Sequence, residues 1–311
     1  MPGTRKPTTR RVARLPLNRP RPRYWSQAQA ENPLARFVPF SSLVGPHDVI
    51  TRGGDYLRIW RLDGIAFECA DEQLIAERHE ALCSLLRNLA GGQWAVWTHR
   101  IHRAVSDALQ DPPGGFAREL SRAYHASLRE RPMMSHELYL TLLYRPNASR
   151  VSRALQSRQR SREAIVQAQA DALRVIEERS ALVQRVLRGF GPELLGLRET
   201  RGRSYSEVAE FLGFLVNGRW RPIPMRAGPL YRTLPTVRLS FGGDKLELRH
   251  GDERRCAALV DIKEYADAVE PGILDTLLYE ASEFIETQSF SILPRRDAMR
   301  ALELQRDQLI A

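Results

Sequence analysis

A chain of 311 residues, 43% hydrophobic and 27% charged, is long enough to bury a sizeable core as one large domain or two smaller ones. Apolar runs such as residues 257–260 and 211–216 break at charge or glycine, far short of the roughly 20 residues a membrane span needs, which excludes a transmembrane helix. The formal net charge is +10, and Cys69, Cys83 and Cys256, an odd number without a close pair, argue against a disulfide framework or a zinc knuckle and read as buried thiols.

The charge is concentrated at the start. Arg5, Lys6, Arg10, Arg11, Arg14, Arg19, Arg21 and Arg23 all precede the first acid, Glu31, so residues 1–30 hold most of the excess and the remainder is nearly balanced. Pro16, Pro20 and Pro22 stand where a signal peptide needs an apolar stretch, which points to the cytoplasm. An Arg/Pro-rich segment of this kind cannot bury enough apolar surface to fold alone and is predicted to be a disordered basic arm. Its eight basic residues are candidates for an interface or a membrane surface: anionic lipid attracts such a segment by about 1 kcal/mol per charge. Nucleic acid ranks behind lipid and would act through counterion release. A plain solvated extension is the alternative.

Beyond the arm, residues 37–40 and 48–52 have extended character, and Gly53-Gly54 leads into a period-two stretch over 55–62, which together predict a β-hairpin. From Asp71 the spacing of Leu74, Ile75, Leu82, Leu85, Leu86 and Leu89 is helical, and Gly91-Gly92 closes it. Residues 93–105 return to strand composition, 116–130 read as helix and 136–144 as a buried strand, an α+β layer order. Residues 149–189 repeat Leu155, Ile165, Val166, Leu173, Ile176, Leu182, Val183 and Val186 at helical intervals and predict one long helix, stopped by Gly189 and Gly191-Pro192. The second half predicts a strand at 194–199, a helix at 204–216, a Pro-rich connection at 222–235, strands at 237–241 and 245–249 around a Gly242-Gly243-Asp244 turn, and a strand at 255–263. A helix at 271–279, a strand at 283–293 and a helix at 294–310 complete it.

The fold class this predicts is α+β: two mixed α/β lobes separated by a long helical segment and preceded by a disordered basic tail. The expected division is residues 1–30 for the tail, 31–147 for the first lobe, 148–192 for the helical segment and 193–293 for the second lobe. Residues 294–311 begin a helix still patterned at its last residue, as though leading into a further domain.

A phosphate loop of the form GxxxxGK[ST] needs glycine directly before lysine, because the backbone wraps the phosphates while the ammonium reaches them. The three lysines, Lys6, Lys245 and Lys263, follow Arg5, Asp244 and Ile262, so no such loop is encoded. Leu259-Val260-Asp261 imitates the strand and acid that hold Mg-nucleotide, but without the loop Asp261 reads as structural. His79 with Cys83, and His99 with His102, supply two metal ligands each at most, with no third nearby in sequence. No GxSxG elbow is present, and Asp71-Glu72 is explained by the dipole of the helix it opens. The expectation is therefore no catalytic, cofactor-binding or metal residue in this chain, and no enzyme.

Four blocks carry a resemblance. FSSLVGPHDVITRGGDYLRIWRLDG over 40–64, ELYLTLLYRP over 137–146, SEVAEFLGFLVNG over 206–218 leading to PLYRTLP over 229–235, and IKEY over 262–265 with PGILD over 271–275 and TQSF over 287–290 follow one another in order. In these blocks the chain resembles the N-terminal region of TrbE/CagE-type ATPases of bacterial type IV secretion (conjugal transfer) machines, the family of the fourth VirB component. The resemblance implies a region that docks the ATPase to inner-membrane components and to neighbouring subunits, cytoplasmic and peripheral to the inner membrane, in a full-length homo-oligomer. It implies that ATP and Mg belong to a C-terminal RecA-like domain. It marks Ile262, Lys263, Glu264, Tyr265, Thr287, Gln288, Ser289 and Phe290 as family signature, on predicted strands that pack the second lobe, with Lys263, Glu264 and Gln288 as polar exceptions at buried contacts or an interface. Two other readings stay open: a fragment of an intact ATP-hydrolysing motor, and a truncated regulator that binds nucleic acid or membrane through the arm.

Overall fold

A computed structural model describes residues 33–65, 70–105, 114–129, 133–146, 161–225, 228–262, 268 and 274–310. The residues expected to form the disordered basic tail, 1–30, and the signature residues Lys263, Glu264 and Tyr265 lie outside the described residues.

The predicted hairpin forms between β2 (Asp48–Thr51) and β3 (Tyr56–Leu62), with β1 (Phe40–Leu43) beside β2. Its turn needs a left-handed residue, and Gly54 supplies it at φ +84°. The Thr51 hydroxyl accepts from the Gly53 and Asp55 amides at 3.1 and 3.0 Å. Strands β4 (Trp94–Val105) and β5 (Met133–Tyr144) extend the sheet in the order β1-β2-β3-β5-β4, every pair antiparallel. Two later segments then join it: β6 (Pro192–Leu194) pairs with the second half of β3, and β12 (Phe284–Ser291) closes the far edge against β4.

Both faces of this seven-stranded sheet are covered, which is why its central strands are apolar at successive positions instead of alternating. On one face lie α1 (Glu72–Asn88) and α3 (Arg162–Val186), whose Leu85, Ile176 and Val183 pack on Trp60, Trp94, Val96, Leu140 and Leu142. On the other lies α4 (Glu207–Asn217), whose Val208, Phe211 and Leu212 pack on Val49, Leu57, Ile59 and Leu143, with Phe211 stacked on Tyr139 at 4.3 Å. Trp60 and Trp94 are core residues and Trp97 is partly buried. The remaining helix between β4 and β5, α2 (Gly115–Arg129), is mostly exposed.

The second half differs from expectation where partners decide the outcome. The helix expected from residue 204 begins at Glu207, because Ser206 must be extended for its hydroxyl to accept from the Ala209 amide at 3.2 Å. Residues 203–206 are instead β8 (Arg203–Ser206), paired with β7 (Leu197–Thr200). A one-turn helix, α5 (Leu230–Thr233), interrupts the Pro-rich connection. Next, β9 (Arg238–Phe241), β10 (Leu246–His250) and β11 (Glu253–Ala257) form a separate antiparallel sheet. The strand expected to run on to residue 263 stops at Ala257, opposite Leu246, the first residue of its partner β10. Of the helix expected at 271–279, the described part is a 3-10 turn over Asp275–Tyr279. The described part of the long helix runs from Ser161, whose hydroxyl caps the Ala164 amide, to a 3-10 turn over Leu187–Phe190 closed by Gly191 at φ +59°. The last described element is α6 (Arg295–Ile310).

Asn217 ties α4 to the Pro-rich connection. Its amide donates to the Gly213 and Leu234 carbonyls at 2.7 and 2.9 Å, and its oxygen accepts from the Thr236 and Val237 amides at 2.8 and 3.1 Å. Asn217→Ala leaves these buried backbone groups without partners, so a loss of about 2 kcal/mol is expected in urea unfolding. Asn217→Asp is expected to cost at least as much at neutral pH, because a buried carboxylate oxygen would then face the Gly213 and Leu234 carbonyls.

Candidate functional site

A set of polar contacts between distant parts of the chain crosses the seam where β12 meets β4. The register runs from Phe284 opposite His102 to Ser291 opposite Ala95. It is pinned at both ends: Glu283 accepts from the Ala104 amide at 3.0 Å, and the Ile292 carbonyl accepts from the Gly92 amide at 3.2 Å. Side chains cross it on both faces, as an antiparallel pair requires. On the α4 face, His99 Nδ1 lies 2.9 Å from Thr287 Oγ1, and the His99 ring meets the Phe211 ring edge-on at 5.4 Å. On the opposite face Arg100 pairs with Glu286 at 2.6 Å and its guanidinium lies over the Phe284 ring.

A histidine pair extends this face. His102 Nδ1 lies 3.1 Å from His136 Nε2, His102 Nε2 lies 2.8 Å from the Glu280 carbonyl, and His136 Nε2 lies 3.3 Å from the Leu278 carbonyl. With both rings neutral, His102 donates to Glu280 and accepts from His136, so the 3-10 turn is latched to β4 and β5 by one consistent set of hydrogen bonds. Burial lowers the pKa of His99 to about 4 and also lowers that of His136, the latter against the Leu278 bond that raises it.

The signature residues of β12 thus sit on the edge of the large sheet. Thr287 bridges to His99, Gln288 is exposed with its amide donating to Glu286 at 2.7 Å, and Ser289 and Phe290 stand opposite Trp97 and Val96 and stay largely exposed. They do not pack the core of a second lobe, because the strand they belong to is paired on β4. Ile262 is exposed in irregular chain.

The look-alike motifs come apart in three dimensions. His99 and His102, three apart on a strand, point to opposite faces of the sheet and cannot share an ion. Among the described residues no group of three or more His, Cys, Asp or Glu side chains is placed to hold a metal. Leu259 and Val260 are 86% and 95% exposed and belong to no strand, so Asp261 does not end a buried strand as a magnesium-holding acid does. The expectation of buried thiols is corrected: Cys256 is exposed on β11, and Cys83 is partly buried with its Sγ 3.6 Å from His79 Nε2. Cys69 lies outside the described residues.

One buried group was not singled out by the sequence. Arg58 of β3, only 3% exposed, donates two hydrogen bonds to Asp48 at 2.9 and 2.7 Å and pairs with Glu177 of α3. Burial alone would pull the guanidinium pKa down, but the bonds to Asp48 and Glu177 outweigh it and hold it above its ordinary value. The available signal was an arginine at an inward position between Tyr56 and Trp60.

The comparisons with known proteins fall on these same elements. Residues 47–151, which hold β2 through β5, match the family model for the type IV secretion system ATPase VirB4/TrbE, N-terminal domain. Residues 193–311, which hold β12, match the model for the CagE, TrbE, VirB family, component of type IV transporter system. The type IV secretion system protein PtlC homolog of Bordetella bronchiseptica is 39% identical over 293 residues, covering 91% of this chain and 35% of the relative. Type IV secretion system protein virB4 of Brucella abortus is 36% identical over 296 residues, covering 92% and 36%. Protein virB4 of Agrobacterium tumefaciens is 28% identical over 279 residues, covering 88% and 35%. The chain therefore spans about a third of the length of these relatives. With both sheet-building stretches matched by its models, the chain belongs to the VirB4/TrbE family of type IV secretion system ATPases.

Proposed function

We propose that this chain is a docking and assembly module of a type IV secretion ATPase. In this reading it binds inner-membrane components of the machine and neighbouring ATPase subunits, working on the cytoplasmic side, peripheral to the inner membrane. The observation that carries it is the match to the N-terminal domain of the VirB4/TrbE ATPases in a sequence where no lysine follows a glycine. A phosphate loop cannot be built without that pair. ATP and Mg are accordingly assigned to the C-terminal motor of full-length family members, and this chain holds no nucleotide.

A docking module of this kind fits a sheet whose two faces are sealed by helices, because packed elements hold exposed edges and helices in fixed geometry for a partner. The basic arm, Arg5 to Arg23, supplies a second and electrostatic attachment, to anionic lipid before nucleic acid.

The test is co-expression with the inner-membrane subunits of its secretion system, followed by detergent extraction and capture on a tag carried by this chain. Recovery of at least one such subunit in stoichiometric amount, with no uptake of Mg-ATP by the purified chain in titration calorimetry, is expected. Capture of none of them, or saturable Mg-ATP binding, contradicts the reading.

A further inference from the structure

Helix α2 is folded the wrong way round for a helix that serves its own core. Phe116, Leu120 and Tyr124 follow one another at four-residue steps and so form one stripe along the helix. In a helix packed on its domain that stripe turns inward. Here the three side chains are 78%, 58% and 56% exposed. Ser121 and His125 are the partly buried side chains among those described on α2. Contiguous exposed apolar surface of this kind marks an interaction site.

The polar side of the same helix carries Arg118 and Arg122 against Glu119. Fifteen residues make a helix about 22 Å long, and no described helix is long and apolar enough to cross a membrane. A short helix with an aromatic and aliphatic stripe, a basic polar face and low overall hydrophobicity has the composition of one that lies in the plane of a lipid interface.

We propose that α2 is a membrane-surface helix. It sets Phe116, Leu120 and Tyr124 into the headgroup boundary of an anionic bilayer, with Arg118 and Arg122 adding electrostatic attraction. This deepens the docking reading by naming the lipid surface as one of the docking partners. It is separate from the basic arm: the arm's attraction is screened by salt, whereas burial of an apolar stripe is not.

The experiment is co-sedimentation of the full 311-residue chain with vesicles of phosphatidylglycerol and phosphatidylcholine in equal parts, and of phosphatidylcholine alone, at low and high salt. Phe116→Ser with Leu120→Ser is expected to lower partitioning onto the anionic vesicles by about tenfold or more at both salt levels. Arg118→Glu is expected to lower it at low salt alone, by about fivefold or more. The thermal midpoint of each variant should match the parent, because the replaced side chains are exposed. Hydrogen exchange of the unmodified chain should slow within residues 116–127 when anionic vesicles are added.

Unchanged partitioning of the double variant, no slowing in residues 116–127, or conversion of a dimer to a monomer by the same substitutions without effect on vesicles would each overturn the proposal, the last by making a second copy the occupant. No vesicle binding by the parent chain, with inner-membrane subunits still captured, removes this inference and leaves the docking reading standing. Vesicle binding with no subunit captured does the reverse.

Discussion

Arg58→Ala is expected to lower the unfolding free energy by about 3–5 kcal/mol, the range for removing one partner of a buried ion pair. The cost comes from what remains. Asp48 is only 5% exposed, and its carboxylate would lose both of its close guanidinium bonds while still shut away from water. Glu177 behaves differently, because its side chain is 68% exposed and water can replace the arginine. Glu177→Ala should therefore cost less than about 1 kcal/mol. Replacing the pair together, Asp48→Asn with Arg58→Met, should recover much of the loss, since no buried charge is left over. Urea unfolding followed by tryptophan fluorescence decides it: equal effects of Arg58→Ala and Glu177→Ala would show that Asp48 is not the group left stranded.

Acid should loosen the β12 seam before it unfolds the rest. His99 ordinarily titrates near 6.5, and burial holds it at about 4 in the folded chain. Between these values the unfolded chain binds a proton that the folded chain does not, so the stabilisation is full above 6.5 and falls as pH drops. The loss is complete below about pH 4 and amounts to about 3 kcal/mol. His136 acts with the same sign, because its pKa is also lowered, chiefly by burial. Thr287 of β12, Phe211 of α4 and the cross-strand neighbour Tyr139 of β5 face His99, and none of the three offers a carboxylate to hold an imidazolium. His99→Gln removes the titration while keeping a hydrogen-bonding side chain. The fall in urea midpoint from pH 7 to pH 4.5 should be smaller for it than for the parent, and an equal fall would contradict the assignment.

What was legible in the sequence was local. The Gly53-Gly54 turn and the alternation after it gave the hairpin, and the leucine spacing after Asp71 gave α1 nearly to the residue, because turn chemistry and periodicity are written in neighbouring positions. The α+β class followed from the order of such segments. The partner of β12 did not, since His99 and Thr287 are 188 residues apart and a period-two pattern says that a strand exists without saying where it pairs. The same limit hid the end of β11, which stops opposite the first residue of β10, and the exposure of Leu259 and Val260, whose apolar run reads like a buried strand. It also hid the orientation of α2: residues 116–130 read as a helix, and the outward direction of Phe116, Leu120 and Tyr124 was not legible. Of the candidate site, Thr287 to Phe290 proved to be a sheet edge, and the meaning of Arg58 needed Glu177 from a distant helix.

The central claim is that the two family-matched stretches build one sheet, with β12 as its edge. Hydrogen exchange on the intact chain tests this most directly. An edge strand in an antiparallel pair turns alternate amides toward its neighbour and the others toward solvent. About half of the amides in Phe284–Ser291 should exchange as slowly as those of β4, and the rest quickly. Uniformly fast exchange across residues 284–291, with β4 still protected, would mean that β12 is not part of the sheet and would contradict the account.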